Sequence, residues 1–161
     1  MNLLNKIKTE CDLIIRVADA RNPKTLFSFP TTKKTLIVFN KMDLLTTEEL
    51  EKLRKKYKNA IFTSTRTRKG KGNLLHKIIA FANMEDRLVR VGVVGYPNVG
   101  KSSLINMMRG TRSAKVSATP GETRGVQWLK IKNNIMMYDT PGVITVKHLS
   151  LIHISEPTRP Y

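Results

Sequence analysis

The feature that most constrains this chain is the segment GYPNVGKS at residues 95–102, which matches the pattern G-x-x-x-x-G-K-[ST] at every fixed position. An apolar run, Leu88–Tyr96, leads into it, and a helical pattern, Lys101–Arg109, follows it. Glycines allow backbone amides to turn toward phosphate oxygens, and the start of a helix adds positive potential. The segment therefore predicts a phosphate-binding loop. A glycine-containing turn with an exposed lysine is the alternative, and this context disfavours it.

The phosphate loop assigns roles to individual side chains. Lys101 is expected to neutralise the β- and γ-phosphates of a nucleotide, and Ser102 is expected to ligate magnesium. The remaining nucleotide contacts are expected from the neighbouring residues Asn98, Val99, Gly100 and Ser103.

The rest of the apolar pattern alternates between short runs and helical periods, which predicts an α/β fold with a mostly parallel sheet. A hairpin turning at Asn133-Asn134 adds one antiparallel strand near an edge. The helix that begins near Thr47 carries Glu48 and Glu49 where the helix start is positive. The other predicted strands are Asp12–Ala20, Thr35–Asn40 and Ile61–Ser64, and the other helices are Thr46–Tyr57 and Gly72–Asn83.

A second motif, Asn40-Lys41-Met42-Asp43, ends a predicted strand. The Asp43 carboxylate can accept two hydrogen bonds from the N1 and N2 edge of guanine, whereas adenine offers no such pair of donors. Asn40 is expected to brace the loop, and the Lys41 stem is expected to lie against the base. A strand-end turn with a surface aspartate would explain this tetrapeptide alone, but its combination with a phosphate loop is specific.

Three further segments complete a possible nucleotide site. In Asp139-Thr140-Pro141-Gly142, Asp139 is expected to hold magnesium through water and the Gly142 amide to contact the γ-phosphate. Thr123 is a candidate for a second magnesium hydroxyl, with Thr119 as its competitor. Ser64-Thr65-Arg66 follows a strand and is a candidate for backbone contacts to guanine O6. Each segment taken alone is also explained by an ordinary polar turn.

These five segments resemble the motif set of Ras-like GTPases, but their order differs. The base motifs NKMD (40–43) and STR (64–66) precede GYPNVGKS (95–102), PGET (120–123) and DTPG (139–142). When the GTPase motifs are numbered with the phosphate loop as G1, this order is G4-G5-G1-G2-G3, and it resembles that of circularly permuted GTPases of the YlqF/YawG type. The segment Asp19-Ala20-Arg21-Asn22-Pro23 is similar to that family's DAR-x-P element. The resemblance implies a P-loop three-layer sandwich with a six-stranded sheet, bound GTP or GDP, magnesium and a role in large ribosomal subunit assembly.

The resemblance also implies mechanistic details. Val143 stands where Ras-like enzymes carry a water-orienting Gln, so intrinsic GTP hydrolysis is expected to be slow. Asn98 matches the phosphate-loop Asn of potassium-activated GTPases, so a potassium ion is expected to supply charge there. Catalysis is accordingly assigned to Lys101, Asn98, Thr123 and Gly142, with stimulation expected from potassium and from ribosomal particles.

The resemblance divides the chain into two parts. Residues 1–148 are expected to form the permuted GTPase domain, without the family's C-terminal switch helix. Residues 149–161, LSLIHISEPTRPY, resemble a cloning or sequencing tail, with a divergent native C-terminus as the alternative. Two other functions remain open: a nucleotide- and RNA-binding module without effective turnover, and a potassium-dependent GTPase of RNA modification, which the motif order disfavours.

Charge and composition bear on partners and location. Lys and Arg number 29 against 12 Asp and Glu, which gives a formal net charge of +17 and favours a polyanion such as rRNA as the partner. The sequence predicts no signal peptide, no membrane span and a cytoplasmic location, and it leaves the oligomeric state undetermined. The single cysteine, Cys11, is expected to be core filler, and the three histidines lack metal-ligand spacing.

Overall fold

The computed structural model describes residues 3–26, 28–109, 127–132 and 134–139. The helices in these ranges are α1 (Leu3–Glu10), α2 (Thr47–Lys56), α3 (Lys71–Glu85) and α4 (Lys101–Arg109). The strands of the described residues are β1 (Leu13–Asp19), β2 (Lys34–Asn40), β3 (Ile61–Phe62), β4 (Val89–Gly95), β5 (Gln127–Lys132) and β6 (Ile135–Asp139). Two short 3-10 turns lie at Pro23–Thr25 and Met42–Leu44.

The strands form one sheet in the order β3-β2-β1-β4-β6-β5. All neighbouring pairs are parallel except β5 and β6, which are antiparallel and place β5 at an edge. This arrangement confirms the expected mostly parallel, six-stranded sheet and the hairpin at its edge. The continuous apolar character of β1 and β4 has a physical reason, because strands in the middle of a parallel sheet are covered on both faces.

Alternate residues of β1 pack on opposite faces of the sheet. Leu13, Ile15 and Val17 share a core with helices α3 and α4, whereas Ala18 shares a second core with Leu53 of α2. On the α2 side, α1 approaches so closely that a Cβ on Gly92 would lie 2.8 Å from Ile7 Cγ2. The helices therefore form layers on both faces of the sheet, as the resemblance implied.

The predicted strand and helix bounds agree with the structure to within two residues at each end of the elements before β5. Helix α2 opens at Thr47, as expected, and its N-cap is Thr46: the Thr46 hydroxyl accepts a hydrogen bond from the Glu49 amide at 3.1 Å, and the Glu49 carboxylate accepts one from the Thr46 amide at 2.9 Å. Helix α1 was not predicted, because charged residues interrupt its short apolar stripe.

Three further apolar residues are buried in the core. Cys11 is fully buried beside Gly92, as expected for core filler, and burial raises the pKa of its thiol to about 12. Met107 and Met108 are buried in the core that α4 forms with the sheet. Within the described ranges, no helix is long and apolar enough to cross a bilayer.

Candidate functional site

The predicted motifs converge on one edge of the sheet because they follow parallel strands. Asp19, Asn40 and Gly95 end β1, β2 and β4, and Ser64 lies two residues beyond the end of β3. Asp139 ends β6, which pairs in parallel with β4, so its backbone lies at this edge too. In open α/β sheets, ligands bind outside the carboxyl ends of the strands. This edge is therefore the candidate site.

The loop between β4 and α4 has the backbone that its sequence predicts. Asn98 and Gly100 have φ values of 71° and 92°, in the left-handed region that Gly tolerates best and Asn next. Lys101 begins α4 and is only 8% exposed, and Ser102 and Ser103 are exposed in the same first turn. The loop therefore presents two hydroxyls, a lysine and a helix start together.

Asn40 connects the base-recognition motif to this loop. Its side chain is fully buried, and its Nδ2 donates a hydrogen bond to the Val99 carbonyl at 3.0 Å. Its Oδ1 accepts a hydrogen bond from the Thr63 hydroxyl at 2.9 Å, so Asn40 also holds the segment that follows β3. One buried amide thus braces three loops that are distant in sequence.

Lys41 provides a second connection. It adopts a left-handed conformation with φ 68°, and its Nζ donates a hydrogen bond to the Asn98 carbonyl at 2.7 Å. The same ammonium lies 3.7 Å from Asp19 Oδ2. The side chain of Lys41 therefore runs from the base motif to the phosphate loop.

The Asp43 carboxylate lies beside the loop that follows β3. Its Oδ1 accepts a hydrogen bond from Ser64 Oγ at 2.7 Å, and its Oδ2 accepts one from Arg66 Nε at 3.1 Å. The Ser64 hydrogen bond and Arg66 hold the pKa of Asp43 below its usual value, so the carboxylate is ionised at neutral pH. An ionised carboxylate offers about four lone-pair directions, which leaves acceptor capacity for a base.

The segment after β3 differs in detail from its predicted use. The Ser64 amide donates to the Lys69 carbonyl at 2.9 Å, so it is engaged within its own loop. The expected backbone contact to guanine O6 then stays a prediction for the amides of Thr65 and Arg66. The basic side chains Arg66, Arg68 and Lys69 are exposed, and Arg66 pairs with Asp43.

Sequence reasoning did not identify the site contacts of three residues. Thr63 orients Asn40, Asp19 contacts Lys41, and Arg21 donates hydrogen bonds to Asp19. Their position in the sequence was the one signal that could have identified them. Each residue ends or follows an apolar run, and the strand beside that run in the sheet carries one of the motifs.

The structure describes only part of the segment Asp139-Thr140-Pro141-Gly142. The Asp139 backbone ends β6 at the site edge, but its side chain is outside the described atoms. Thr119, Thr123, Thr140, Pro141, Gly142 and Val143, together with the tail 149–161, lie outside the described residues. Within the described part, no group of three or more His, Cys, Asp or Glu side chains is placed to hold a metal ion.

Comparisons with known proteins agree with this geometry. A family described as 50S ribosome-binding GTPase matches residues 90–156. A GTP-binding protein of Methanocaldococcus jannaschii is 38% identical over 155 residues, covering 90% of this chain and 41% of that protein. Ribosome biogenesis GTPase A of Thermotoga maritima is 37% identical over 138 residues, covering 81% and 50%. Nuclear/nucleolar GTPase 2 of Arabidopsis thaliana is 36% identical over 157 residues, covering 88% and 27%. The chain thus spans half or less of the length of these relatives.

Solved structures show the same architecture. The GDP-bound structure of TM YlqF superposes with a TM-score of 0.62 at 28% identity, covering 89% of this chain and 58% of that one. YjeQ from Thermotoga maritima superposes with a TM-score of 0.54 at 22% identity, covering 82% and 48%, and supports the fold alone. With its base motifs ahead of its phosphate loop on this sheet, the chain belongs to the circularly permuted GTPases.

Proposed function

We propose that this chain binds GTP and GDP, hydrolyses GTP, and assists assembly of the large ribosomal subunit by associating with rRNA in a nucleotide-dependent way. The observation that carries the nucleotide site is the 3.0 Å hydrogen bond from Asn40 Nδ2 to the Val99 carbonyl. That bond holds a guanine-recognition motif directly against a phosphate-binding loop. The names of the relatives, which include ribosome biogenesis GTPase A and nucleolar GTPases, support the assembly role.

The roles of the site residues follow from their chemistry. Asp43 accepts hydrogen bonds from guanine N1 and N2, and Lys41 packs its stem along the base. Lys101 offsets negative charge on the β- and γ-phosphates while water attacks the γ-phosphorus and the bond to the β–γ bridging oxygen breaks. Because Lys101 is nearly buried, its charge acts with little screening by solvent.

Magnesium fits the oxygen donors that the motifs supply. Ser102 is its candidate ligand in the described part of the chain, and Thr123 and Asp139 are the candidates from the other segments. When bound, the ion neutralises charge on the β- and γ-phosphate oxygens. Gly142 is the candidate amide for the γ-phosphate.

Exchange of the base-recognition carboxylate for an amide tests the guanine assignment. Asp43→Asn should weaken GDP binding by at least about tenfold, because a charged acceptor of two hydrogen bonds is lost. The same variant should gain affinity for xanthosine diphosphate, since the new amide donates to the xanthine O2. Titration calorimetry with both nucleotides measures the switch.

Asp86→Asn is the matched control. Asp86 is exposed at the C-cap of α3, at the far end of the sheet, where Asn tolerates its φ of 51°. It should bind GDP like the wild type. An unchanged base preference in Asp43→Asn would remove the guanine assignment.

The second candidate function is a nucleotide- and RNA-binding module without effective turnover. The apolar residue Val143, at the place of the water-orienting Gln, favours slow basal hydrolysis. Multiple-turnover GTP hydrolysis measured beside GDP affinity, with and without large ribosomal subunit precursors, separates the two. Tight GDP binding with no turnover under either condition would favour the binding module.

We also propose that the protein acts in the cytoplasm.

A further inference from the structure

The buried carboxylate of Asp19, at the end of β1, has no part in the proposed chemistry. The residue is 7% exposed, and Arg21 approaches it with three donors. Arg21 Nη2 donates to Oδ2 at 2.8 Å, Nε donates to Oδ1 at 3.1 Å, and the Arg21 amide donates to Oδ1 at 2.9 Å. Burial opposes the charge on Asp19, but these hydrogen bonds outweigh it and lower the pKa, so the group is ionised at neutral pH.

This carboxylate faces the lysine of the base motif. Asp19 Oδ2 lies 3.7 Å from Lys41 Nζ, and the same Nζ donates to the Asn98 carbonyl at 2.7 Å. A lysine ammonium is a point charge on a flexible four-carbon stem, so one hydrogen bond does not fix its position. Asp19 supplies a second, charged contact, and the Arg21 fork fixes the direction of the Asp19 carboxylate.

We propose that Asp19 is a positioning residue that holds the Lys41 ammonium against the Asn98 carbonyl and thereby locks the base motif to the phosphate loop. The inference rests on the proposed binding of guanine nucleotide and deepens it. While the Asp19–Lys41 contact is formed, the base motif and the phosphate loop keep the distance that a bound nucleotide needs. Without it, they separate more often and the nucleotide leaves faster.

A purely structural role for Asp19 would act through its backbone or through the Arg21 hydrogen bonds to its carboxylate. The Asp19 amide donates to Thr25 Oγ1 at 2.8 Å, and the Ala20 amide donates to the Asn40 carbonyl at 2.8 Å. The backbone contacts do not involve the Asp19 carboxylate, so Asp19→Asn keeps them and the side-chain shape while removing the charge. Because the same change weakens the Arg21 pair, the Lys41→Met background is needed to separate the two roles.

The test measures dissociation of a fluorescent GDP analogue from the full chain after addition of excess GDP. Asp19→Asn should accelerate dissociation about three- to tenfold, the range expected for a partly buried ion pair. Lys41→Met keeps most of the stem and removes the ammonium. Added to Lys41→Met, Asp19→Asn should have little further effect, because its partner is already absent.

Asp12→Asn is the matched control for loss of a carboxylate on the same strand. Asp12 precedes β1 at the opposite end, and its carboxylate accepts from Arg87 Nη2 at 3.1 Å and from the Arg90 amide at 2.9 Å. This variant should lower the denaturation midpoint without altering GDP dissociation.

The outcomes distinguish this inference from the proposed function. Retention of GDP by the wild type together with wild-type dissociation in Asp19→Asn would overturn only the positioning role. Equal acceleration by Asp19→Asn in the wild-type and Lys41→Met backgrounds would also overturn it, because the effect would not pass through Lys41. Failure of the wild type to retain GDP would overturn both proposals.

Discussion

At Gly100 two independent constraints fall on one residue. Its φ of 92° favours glycine, and a Cβ built there would lie 2.3 Å from Asn40 Nδ2. The second constraint comes from a residue 60 positions earlier in the chain, which sequence spacing alone does not reveal. The motif pattern predicted that a glycine is needed here, and the structure adds that the base motif is a reason for it.

Gly100→Ala should therefore impair nucleotide binding. The added methyl group forces Asn40 away from Val99 or shifts the loop, and the positive φ adds strain of about 1–2 kcal/mol. We expect GDP affinity to fall at least about tenfold, measured by titration calorimetry. Gly72→Ala is the matched control, because a Cβ there meets nothing within 4 Å and Ala favours the first turn of α3. Equal effects of the two variants on GDP affinity would contradict this explanation.

Asn98 occupies the other left-handed position of the loop, and the potassium role assigned to it stays a prediction. GTP turnover should be faster in potassium than in sodium at equal ionic strength, because potassium would add positive charge near the transferred phosphoryl group. Asn98→Gly removes the carboxamide while tolerating the φ of 71°. Turnover of this variant should no longer distinguish the two salts. Equal wild-type rates in both salts would remove the role of Asn98.

Among the elements, the strands were the most predictable. The Val- and Ile-rich runs of β1 and β4 are buried over nearly their whole length and β2 is buried at its last three residues, as their apolar sequences indicate. Helix α1 was missed because its apolar stripe is only eight residues long and is interrupted by two lysines and a glutamate. Packing of Ile7 near Gly92 fixes the helix in the structure. The site motifs were found because chemistry restricts their residue types, whereas the Asp43–Arg66 and Asp19–Lys41 contacts depend on how the loops fold.

The capping box of α2 gives a test at the scale of one element. Thr46→Ala removes the hydroxyl that accepts from the Glu49 amide, and it should lower the free energy of unfolding by about 1 kcal/mol. Thr47→Ala, one residue later and already inside the helix, should have little effect or stabilise slightly. Urea denaturation followed by circular dichroism measures both. A larger loss from Thr47→Ala than from Thr46→Ala would contradict the N-cap role of Thr46.

At the scale of the whole molecule, the net charge of +17 is the dominant property. Part of it surrounds the C-terminal end of α2, where Lys52, Arg54, Lys55, Lys56 and Lys58 are exposed. Cations near a helix C-terminus also stabilise the helix, so these residues do not by themselves identify an RNA surface. The excess of charge over the whole chain is what favours a polyanionic partner.

Binding of the full chain to an rRNA fragment should weaken steeply with salt. If several phosphates are neutralised, affinity should fall by at least about tenfold between about 50 and about 200 mM monovalent salt, because counterions are released on binding. Filter binding across a salt series measures the slope. GDP affinity in the same buffers serves as the control and should change less. A salt-independent rRNA affinity would contradict the electrostatic basis of the proposal.

The bond between Asn40 and Val99 joins positions 59 residues apart, and the motif proposed to read guanine comes first along the chain. During translation, the half that reads the base therefore leaves the ribosome before the half that grips phosphate exists. A nascent chain cannot capture nucleotide until β4 has been added beside β1. The proposed binding of nucleotide would therefore stabilise only chains in which both motifs have been synthesised and brought together.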